Sequence, residues 1–308
     1  MYRPLGIVAS LVTNFTPSGA VDRKGVVTTV DFLARQGVHA VCICGGTGEA
    51  LSLSDKEHAA AVEAAVEGAV GRCAVVAGAL YTDPARIAAA GRIAARARAD
   101  AVMIIAPYFV RPSPDDIYEH VARLADLVDL PLILFNTPSR AGLDMDAGLL
   151  IRIATQIPKV VGFKEASGNI AKFARIVRES PSDFRVLQGL DDLVLPSLAL
   201  GGTGALITIG AVMPRLFVNL FDAVRRDDMA TARTLQLAAL PIIDAVYQTP
   251  NPSGTKRLLE LLGRPGGPVR PPLRTVQPGQ DAHLVRLLPL IEQLEPEAAL
   301  GGVGGGRR

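Results

Sequence analysis

The chain has no tryptophan, and phenylalanine and tyrosine together leave it only 5% aromatic over 308 residues. Surfaces on which nucleic-acid bases could stack are therefore few, and the net charge of +2 comes without a basic stripe, which argues against a nucleic-acid partner. The cysteines are Cys42, Cys44 and Cys73. An odd, small number without framework spacing predicts reduced thiols in a cytoplasm rather than a secreted disulfide scaffold. Cys42 and Cys44 fall on one face of a predicted strand and read as buried packing. The histidines His39, His58, His120 and His283 offer no ligand spacing, so no metal is expected, and all four read as structural or surface residues. No run approaches the ~20 apolar residues of a membrane span. The first apolar run is broken by Thr13 and Asn14, so no secretory signal is expected at the start and no membrane partner is predicted.

What is abundant is aliphatic. With 49% hydrophobic and 20% charged residues, the chain can bury a large core, and α/β barrels of this length often form one domain. Eight β-rich runs, Gly6–Thr13, Ala40–Cys44, Cys73–Ala77, Ala101–Ala106, Pro131–Asn136, Val160–Glu165, Phe184–Gln188 and Ala205–Ile209, alternate with amphipathic stretches that carry helical spacing. Those stretches are Lys24–Gln36, Asp55–Val70, Pro84–Arg98, Pro114–Leu127, Asp146–Ile157, Ile170–Glu179, Leu193–Leu200 and Pro214–Arg226. Ser54, Asp83, Ser113 and Asp144 stand where N-caps belong, and Ser54 with Glu57 fits a capping box. Near-continuous apolar runs suit parallel strands buried on both faces. The alternation predicts an α/β fold, a (β/α)8 TIM barrel over residues 1–226. An open doubly wound sheet is the rival, but the glycine-rich loop follows the second run and lacks a dinucleotide fingerprint. Beyond Arg226 the alternation stops. Met229–Tyr247, Gly254–Leu262 and Ala282–Leu294 predict a small C-terminal helical domain over 227–300, with a long loop at Arg264–Gln280 and a disordered tail at 301–308.

Lysine is scarce: Lys24, Lys56, Lys159, Lys164, Lys172 and Lys256 are all there are. Lys164 closes the sixth apolar run, Val160-Val161-Gly162-Phe163-Lys164-Glu165. Burial disfavours the charged form of an amine, and a neutral amine can form a Schiff base with a carbonyl substrate. The plain alternative is a stem packed on the strand with its head in solvent. In such barrels the reacting groups gather at the C-terminal ends of strands. That face would collect Lys164, the loop Gly45–Glu49, the segment Asn136–Gly142, Pro107-Tyr108-Phe109 and Gln188–Asp192. Successive N–H groups in the Gly45–Glu49 loop, with the Thr47 hydroxyl, make a nest suited to a carboxylate; a turn that needs glycine only for its backbone is the alternative. Arg140 could bind a second carboxylate bidentately, or simply lie in solvent. Gly201-Gly202-Thr203-Gly204 precedes its strand, at the wrong face for a phosphate cradle, and reads as a tight turn.

Gly-Gly-Thr-Gly-Glu at 45–49, Pro107-Tyr108, Asn136-x-Pro138-Ser139-Arg140-x-Gly142, Gly162–Gly168, Gly189-x-Asp191-Asp192 and Asn251-Pro252 occur in register along nearly the whole chain. Together they resemble the dihydrodipicolinate synthase/N-acetylneuraminate lyase superfamily of class I aldolases. The resemblance implies that Lys164 condenses with the keto group of pyruvate or a related 2-oxo acid. It implies that Thr47 and the N–H groups around Gly46 hold the carboxylate, and that the backbone near Leu206 helps to orient the lysine. It also implies no metal or organic cofactor and a homo-oligomer, a dimer or tetramer.

The sequence departs from that pattern at the proton relay. The family's strand-5 tyrosine aligns with Phe135, its loop threonine with Gly46 and its second tyrosine, from a neighbouring subunit, with Phe109. Phenylalanine keeps the ring and cannot transfer a proton; losing general acid–base help typically costs ~10²–10⁴ in rate. Water, the substrate's carboxylate, Tyr108 or Glu49 would have to move protons instead. The expected function is a Schiff-base lyase of aldolase, synthase or dehydratase type. The alternative is a non-catalytic homologue that binds a 2-oxo acid as a sensor or assembly partner.

Overall fold

In the computed structural model, which describes residues 1–296, eight parallel strands close on themselves in sequence order. They are β1 (Gly6–Ser10), β2 (Ala40–Ile43), β3 (Ala74–Ala79), β4 (Ala101–Ile105), β5 (Leu132–Asn136), β6 (Val160–Glu165), β7 (Arg185–Gln188) and β8 (Gly204–Ile207). The helices are α1 (Arg23–Arg35), α2 (Asp55–Ala69), α3 (Pro84–Arg96), α4 (Pro114–Leu127), a single turn α5 (Pro138–Ala141), α6 (Ala147–Gln156), α7 (Ile170–Glu179), α8 (Val194–Ala199) and α9 (Pro214–Arg225). Four more follow: α10 (Met229–Val246), α11 (Ser253–Leu261), α12 (Ala282–Val285) and α13 (Leu288–Leu294). The chain therefore forms the (β/α)8 barrel and not the open sheet. The tail expected at 301–308, and residues 297–300 before it, lie outside the described residues.

The strands are apolar throughout because both of their faces are covered. Val8, Ala40, Cys42, Val76, Met103, Ile133, Phe135, Leu187 and Leu206 fill the barrel interior, while Val41, Ile43, Val75, Val102, Ile104, Leu132, Leu134 and Phe163 pack outward on the helices. α9 to α11 and the last two helices share a second core around Phe217, Leu220, Ile242, Val246, Leu258, Leu284 and Ile291.

Local signals explain most helix starts. Ser54 and Ser113 close capping boxes with Glu57 and Asp116, and Asp83 caps α3 through the Ala85 N–H. Three expectations need correction. Asp146, not Asp144, caps α6, accepting from the Leu149 N–H at 3.0 Å; Asp144 instead accepts from Asn136 Nδ2 and pairs with Lys172. The last helix is two, since Pro289 has no N–H for the carbonyl four residues back. Cys42 and Cys44 do not share a face. Cys44 turns at φ 55 as the chain leaves β2, and packs in the outer layer while Cys42 stays inside.

Strand β6 carries the decisive irregularity. Leu132 pairs with Val160 but Ile133 pairs with Gly162, so β6 holds one extra residue there. A bulge of this kind reverses which side chains face which side. Val161 faces the interior, yet Phe163, two residues on, packs outward. Lys164 consequently points inward. Without the extra residue, strict alternation would have aimed it at the helices.

Candidate active site

Lys164 stands at the C-terminal mouth of the barrel, 8% exposed, with its Nζ 4.3 Å from the centre of the Phe135 ring. Their strands pair in register, Phe135 opposite Lys164. The amine has no salt-bridge partner among the described residues. Burial is the main reason its pKa falls, to about 8; Arg140 pushes in the same direction, and Cys42 and Asp191 oppose it. Gly189 makes room for the stem: a Cβ there would sit 2.7 Å from Ala166 Cβ and 3.0 Å from Lys164 Cε.

At pH 7, an amine of pKa about 8 is roughly one-tenth neutral, against about 3 in 10,000 for an unperturbed lysine near 10.5. A carbonyl reagent should therefore react with this amine faster as pH rises, levelling off above about 8. Stopped-flow rates of adduct formation between pH 6 and 10 check this; a midpoint near 10.5 would mean that the amine is not sheltered.

The loop after β2 lies across the same mouth. Thr47 is buried, and its hydroxyl accepts from Asn251 Nδ2 at 3.0 Å and meets Thr208 Oγ1 at 3.0 Å. The N–H groups of Gly46 and Thr47 have no partner among the described residues, so the nest keeps donors for an anion. Arg140, in α5, extends over this loop: a Cβ built on Gly46 would meet only its guanidinium, at 3.6 Å. The space of a threonine side chain at 46 is thus open, faced by a cation. Gly46 and Arg140 lie together, as do Phe135 and Lys164, and Arg140 acts electrostatically on Lys164. Leu206 is placed differently. It lies fully buried in β8, its side chain in the barrel interior, and makes no hydrogen bond to Lys164 among the described residues.

The two side chains considered as stand-ins for the relay are already engaged. Tyr108 donates its hydroxyl to the Leu80 carbonyl at 3.3 Å. Glu49 is buried and pairs with Lys256 Nζ at 2.6 Å while accepting the Arg270 N–H at 2.8 Å. Glu165 is equally committed: it accepts from Asn136 and from the Ser167 N–H and lies 3.3 Å from Lys172. These contacts fasten the ends of β5 and β6 together, so Asn136 and Glu165 hold the site rather than react in it. His58 binds the Gly78 carbonyl and His39 accepts from the Ile7 N–H, both structural roles.

Sequence reasoning gave no part to Tyr247, Thr208 or Lys256, and none to Asp191 beyond its motif. Asp191 is 3% exposed and accepts from the Ile209 N–H at 2.6 Å and the Tyr247 hydroxyl at 2.7 Å. Burial raises the pKa of Asp191, and burial together with the Asp191 carboxylate raises that of Tyr247, so the phenol stays protonated. The signal available for Lys256 was its rarity, five residues after the Asn251-Pro252 pair; Tyr247 had none. Among the described residues no group of three or more His, Cys, Asp or Glu is placed to hold a metal, and no helix is long and apolar enough to cross a membrane.

A parallel barrel with a sheltered amine at a strand end beside an anion nest defines a class I lyase. The chain belongs to the Dihydrodipicolinate synthetase family, which it matches over residues 3–290. It is 34% identical over 291 residues to the 4-hydroxy-tetrahydrodipicolinate synthase of Methanosarcina mazei, covering 94% of this chain and 99% of the relative. It is 35% identical to the enzyme of that name from Methanoculleus marisnigri, covering 92% and 98%. Among solved structures, dihydrodipicolinate synthase from Thermotoga maritima superposes with a TM-score of 0.91 at 26% identity, over 95% of this chain and all of the other. A prophage protein of the same family from E. coli K12, in complex with pyruvate, superposes with a TM-score of 0.88 at 28% identity, over 94% and 98%. The chain is accordingly an enzyme, a Schiff-base lyase of the pyruvate-using aldolase and synthase type, and the non-catalytic reading loses its support.

Proposed function

We propose that Lys164 is the nucleophile and that it captures pyruvate or a related 2-oxo acid as an imine. The observation that carries this is a buried amine of lowered pKa facing a ring, at the same mouth as the unpaired N–H groups of Gly46 and Thr47. The nest takes the carboxylate of the 2-oxo acid and leaves its ketone for Lys164. The protonated imine then withdraws electrons, so that a bond at or beyond C3 is made or broken. Incubation with pyruvate and borohydride, followed by mass analysis of the tryptic peptide carrying Lys164, tests the reading. A reduced adduct on that peptide is expected; its absence with every 2-oxo acid tried would sink the proposal.

Arg140 is exposed and reaches over Gly46, which suits the far, anionic end of a second substrate. Arg140→Ala should raise the KM for a carboxylate-bearing aldehyde roughly 10–100-fold, as loss of a charge-assisted pair worth ~1.5–3 kcal/mol would. Borohydride trapping of pyruvate should change little. Equal losses in both assays would place Arg140 on the first substrate instead.

The oligomer belongs to the same proposal. Phe109 is fully exposed, at φ 70, beside exposed Val110. An apolar ring held out in that conformation suits cover by a second copy, in a dimer or tetramer; light scattering behind size exclusion tests it. A cytoplasmic location is supported by three buried cysteines, none in a disulfide. The division into a barrel over 1–226 and a helical part from 227 belongs to the same proposal; the later helices pack on the barrel through one core shared with Ile7, Ala205, Ile207 and Phe217.

A further inference from the structure

The loop proposed above as the carboxylate nest is gripped from outside the barrel, by the first turn of α11 and the residues before it. Lys256, in that turn, pairs with Glu49 at the far end of the Gly45–Glu49 loop. Asn251, just before α11, reaches the middle of the loop: its Nδ2 lies 3.0 Å from the Thr47 hydroxyl oxygen. The other end of the amide is held as well. Its Oδ1 accepts from the Thr255 hydroxyl at 3.3 Å, and Thr255 is fully buried in α11. With its carbonyl end so occupied, the amide presents N–H to Thr47. Thr208, just past the end of β8, meets the same hydroxyl at 3.0 Å. The backbone of the loop is fixed separately, by Thr13 donating to the Gly48 carbonyl at 2.6 Å. A threonine hydroxyl has one proton to give and two lone pairs to accept with. An amide nitrogen can only donate, so Asn251 occupies one lone pair of Thr47 and leaves its proton free. Thr208 can donate or accept. As a donor it fills the second lone pair, and the Thr47 proton is then left for a ligand.

Resting on the Schiff-base reading above, with the loop as its carboxylate site, we propose that Asn251 is the positioning residue that aims the Thr47 hydroxyl at the substrate carboxylate. It thereby sets the preference for a 2-oxo acid over a ketone that lacks the acid. Thr208 accepts the Thr47 proton while the nest is empty and turns to donate when an anion arrives. Asn251 donates in both states, so the hydroxyl is already prepared as a donor before the substrate binds, and that preparation lowers the cost of binding. Without the amide, one lone pair of Thr47 is vacant and Thr208 alone decides where its proton goes. The effect is selective. Among the described residues neither Asn251, Thr47 nor Thr208 makes a hydrogen bond to Lys164, so the loss falls on recognition of the acid and not on the amine. Aspartate is the sharpest probe of position 251. It keeps the shape of asparagine and an oxygen for Thr255, but an ionised carboxylate can only accept. It draws the Thr47 proton onto itself and sets a negative charge against the incoming one.

The test compares wild type, Asn251→Ala, Asn251→Asp, Thr47→Val and the double variant Thr47→Val/Asn251→Ala. The readouts are the pyruvate concentration that half-saturates borohydride trapping, the trapping rate with acetone, and the melting temperature. Acetone offers Lys164 a ketone and the nest no carboxylate. Asn251→Ala should raise the half-saturating pyruvate concentration about 10-fold, the scale of one well-aimed hydrogen bond to a charged group. Asn251→Asp should raise it roughly 100-fold or more, since like charges then face each other. Acetone trapping by both should stay within about twofold of wild type, and melting temperatures should stay near it because Thr13 still holds the loop. In the Thr47→Val chain, adding Asn251→Ala should cost less than about twofold more, because the hydroxyl through which Asn251 acts is already gone. Unchanged pyruvate binding by Asn251→Asp would overturn the proposal. So would equal losses for pyruvate and acetone, which would mark a structural role, or losses that multiply in the double variant, which would mean that Asn251 does not act through Thr47. In each of those cases a wild type that traps pyruvate leaves the Schiff-base reading standing. A wild type that traps no 2-oxo acid removes that reading itself, and this assignment with it.

Discussion

Lys164→Met should lose the pyruvate adduct entirely and lower kcat by roughly 10⁴–10⁶, the scale on which loss of a covalent nucleophile falls. The same substitution should stabilise the protein. The folded pKa of Lys164, about 8, lies below the ordinary lysine value of 10.5, so between those values the unfolded chain holds more protons than the folded one. The lysine therefore destabilises the fold below pH 8, by about 3 kcal/mol at 1.36 kcal/mol per pKa unit, and this cost fades as pH rises from 8 to 10.5. Methionine has a similar reach, keeps the contact with the Phe135 ring and carries no charge to bury. Thermal melts at pH 7 and pH 10 check the pattern: a clear rise in melting temperature at pH 7, little difference at pH 10. A variant that is less stable than wild type at pH 7 would mean that the lysine holds the fold together rather than serving chemistry.

Lys256→Met should be among the most destabilising single changes in the chain, for the opposite reason. Lys256 is 1% exposed, pairs with Glu49 at 2.6 Å, donates to the Pro268 carbonyl at 2.7 Å and lies over the Phe15 ring. Its removal leaves Glu49 charged in a buried site, a loss of about 3–5 kcal/mol. Glu49 sits at φ 52 at the end of the Gly45–Glu49 loop, so on the proposed reading of that loop the nest should loosen as well, and the KM for pyruvate should rise in whatever fraction stays folded. Adding Glu49→Gln should recover part of the stability, because no uncompensated charge then remains. Urea unfolding of both chains decides it; a Lys256→Met chain within about 1 kcal/mol of wild type would show that the pair is hydrated and weak.

The barrel was legible because its signals are local and repeated. Eight apolar runs, each followed by a helix with its own cap, leave one closed parallel arrangement that covers both faces of every strand. Errors fell where two neighbours compete for one task, as Asp144 and Asp146 did for the start of α6; a side-chain contact from Asn136 and Lys172 decided between them. Lys164, Thr47 and Arg140 were legible because their residue types are chemically unusual at strand ends and in glycine-rich turns. Tyr247 was not. It follows the last residue of α10, more than eighty residues from Lys164 in the chain, and nothing in its surroundings marks it apart from a surface tyrosine.

What the sequence determined alone was the inventory: a fold class, a scarce lysine at a strand end, a glycine nest, and three missing hydroxyls. Which way that lysine points was a tertiary decision. Side chains in a strand alternate, and only the pairing of Leu132 with Val160 and of Ile133 with Gly162 reveals the extra residue that turns Lys164 inward. The contacts around the mouth were settled in the same way, because Tyr247 reaches Asp191, Thr208 reaches Thr47 and Lys256 reaches Glu49 from distant segments that meet only in the folded chain.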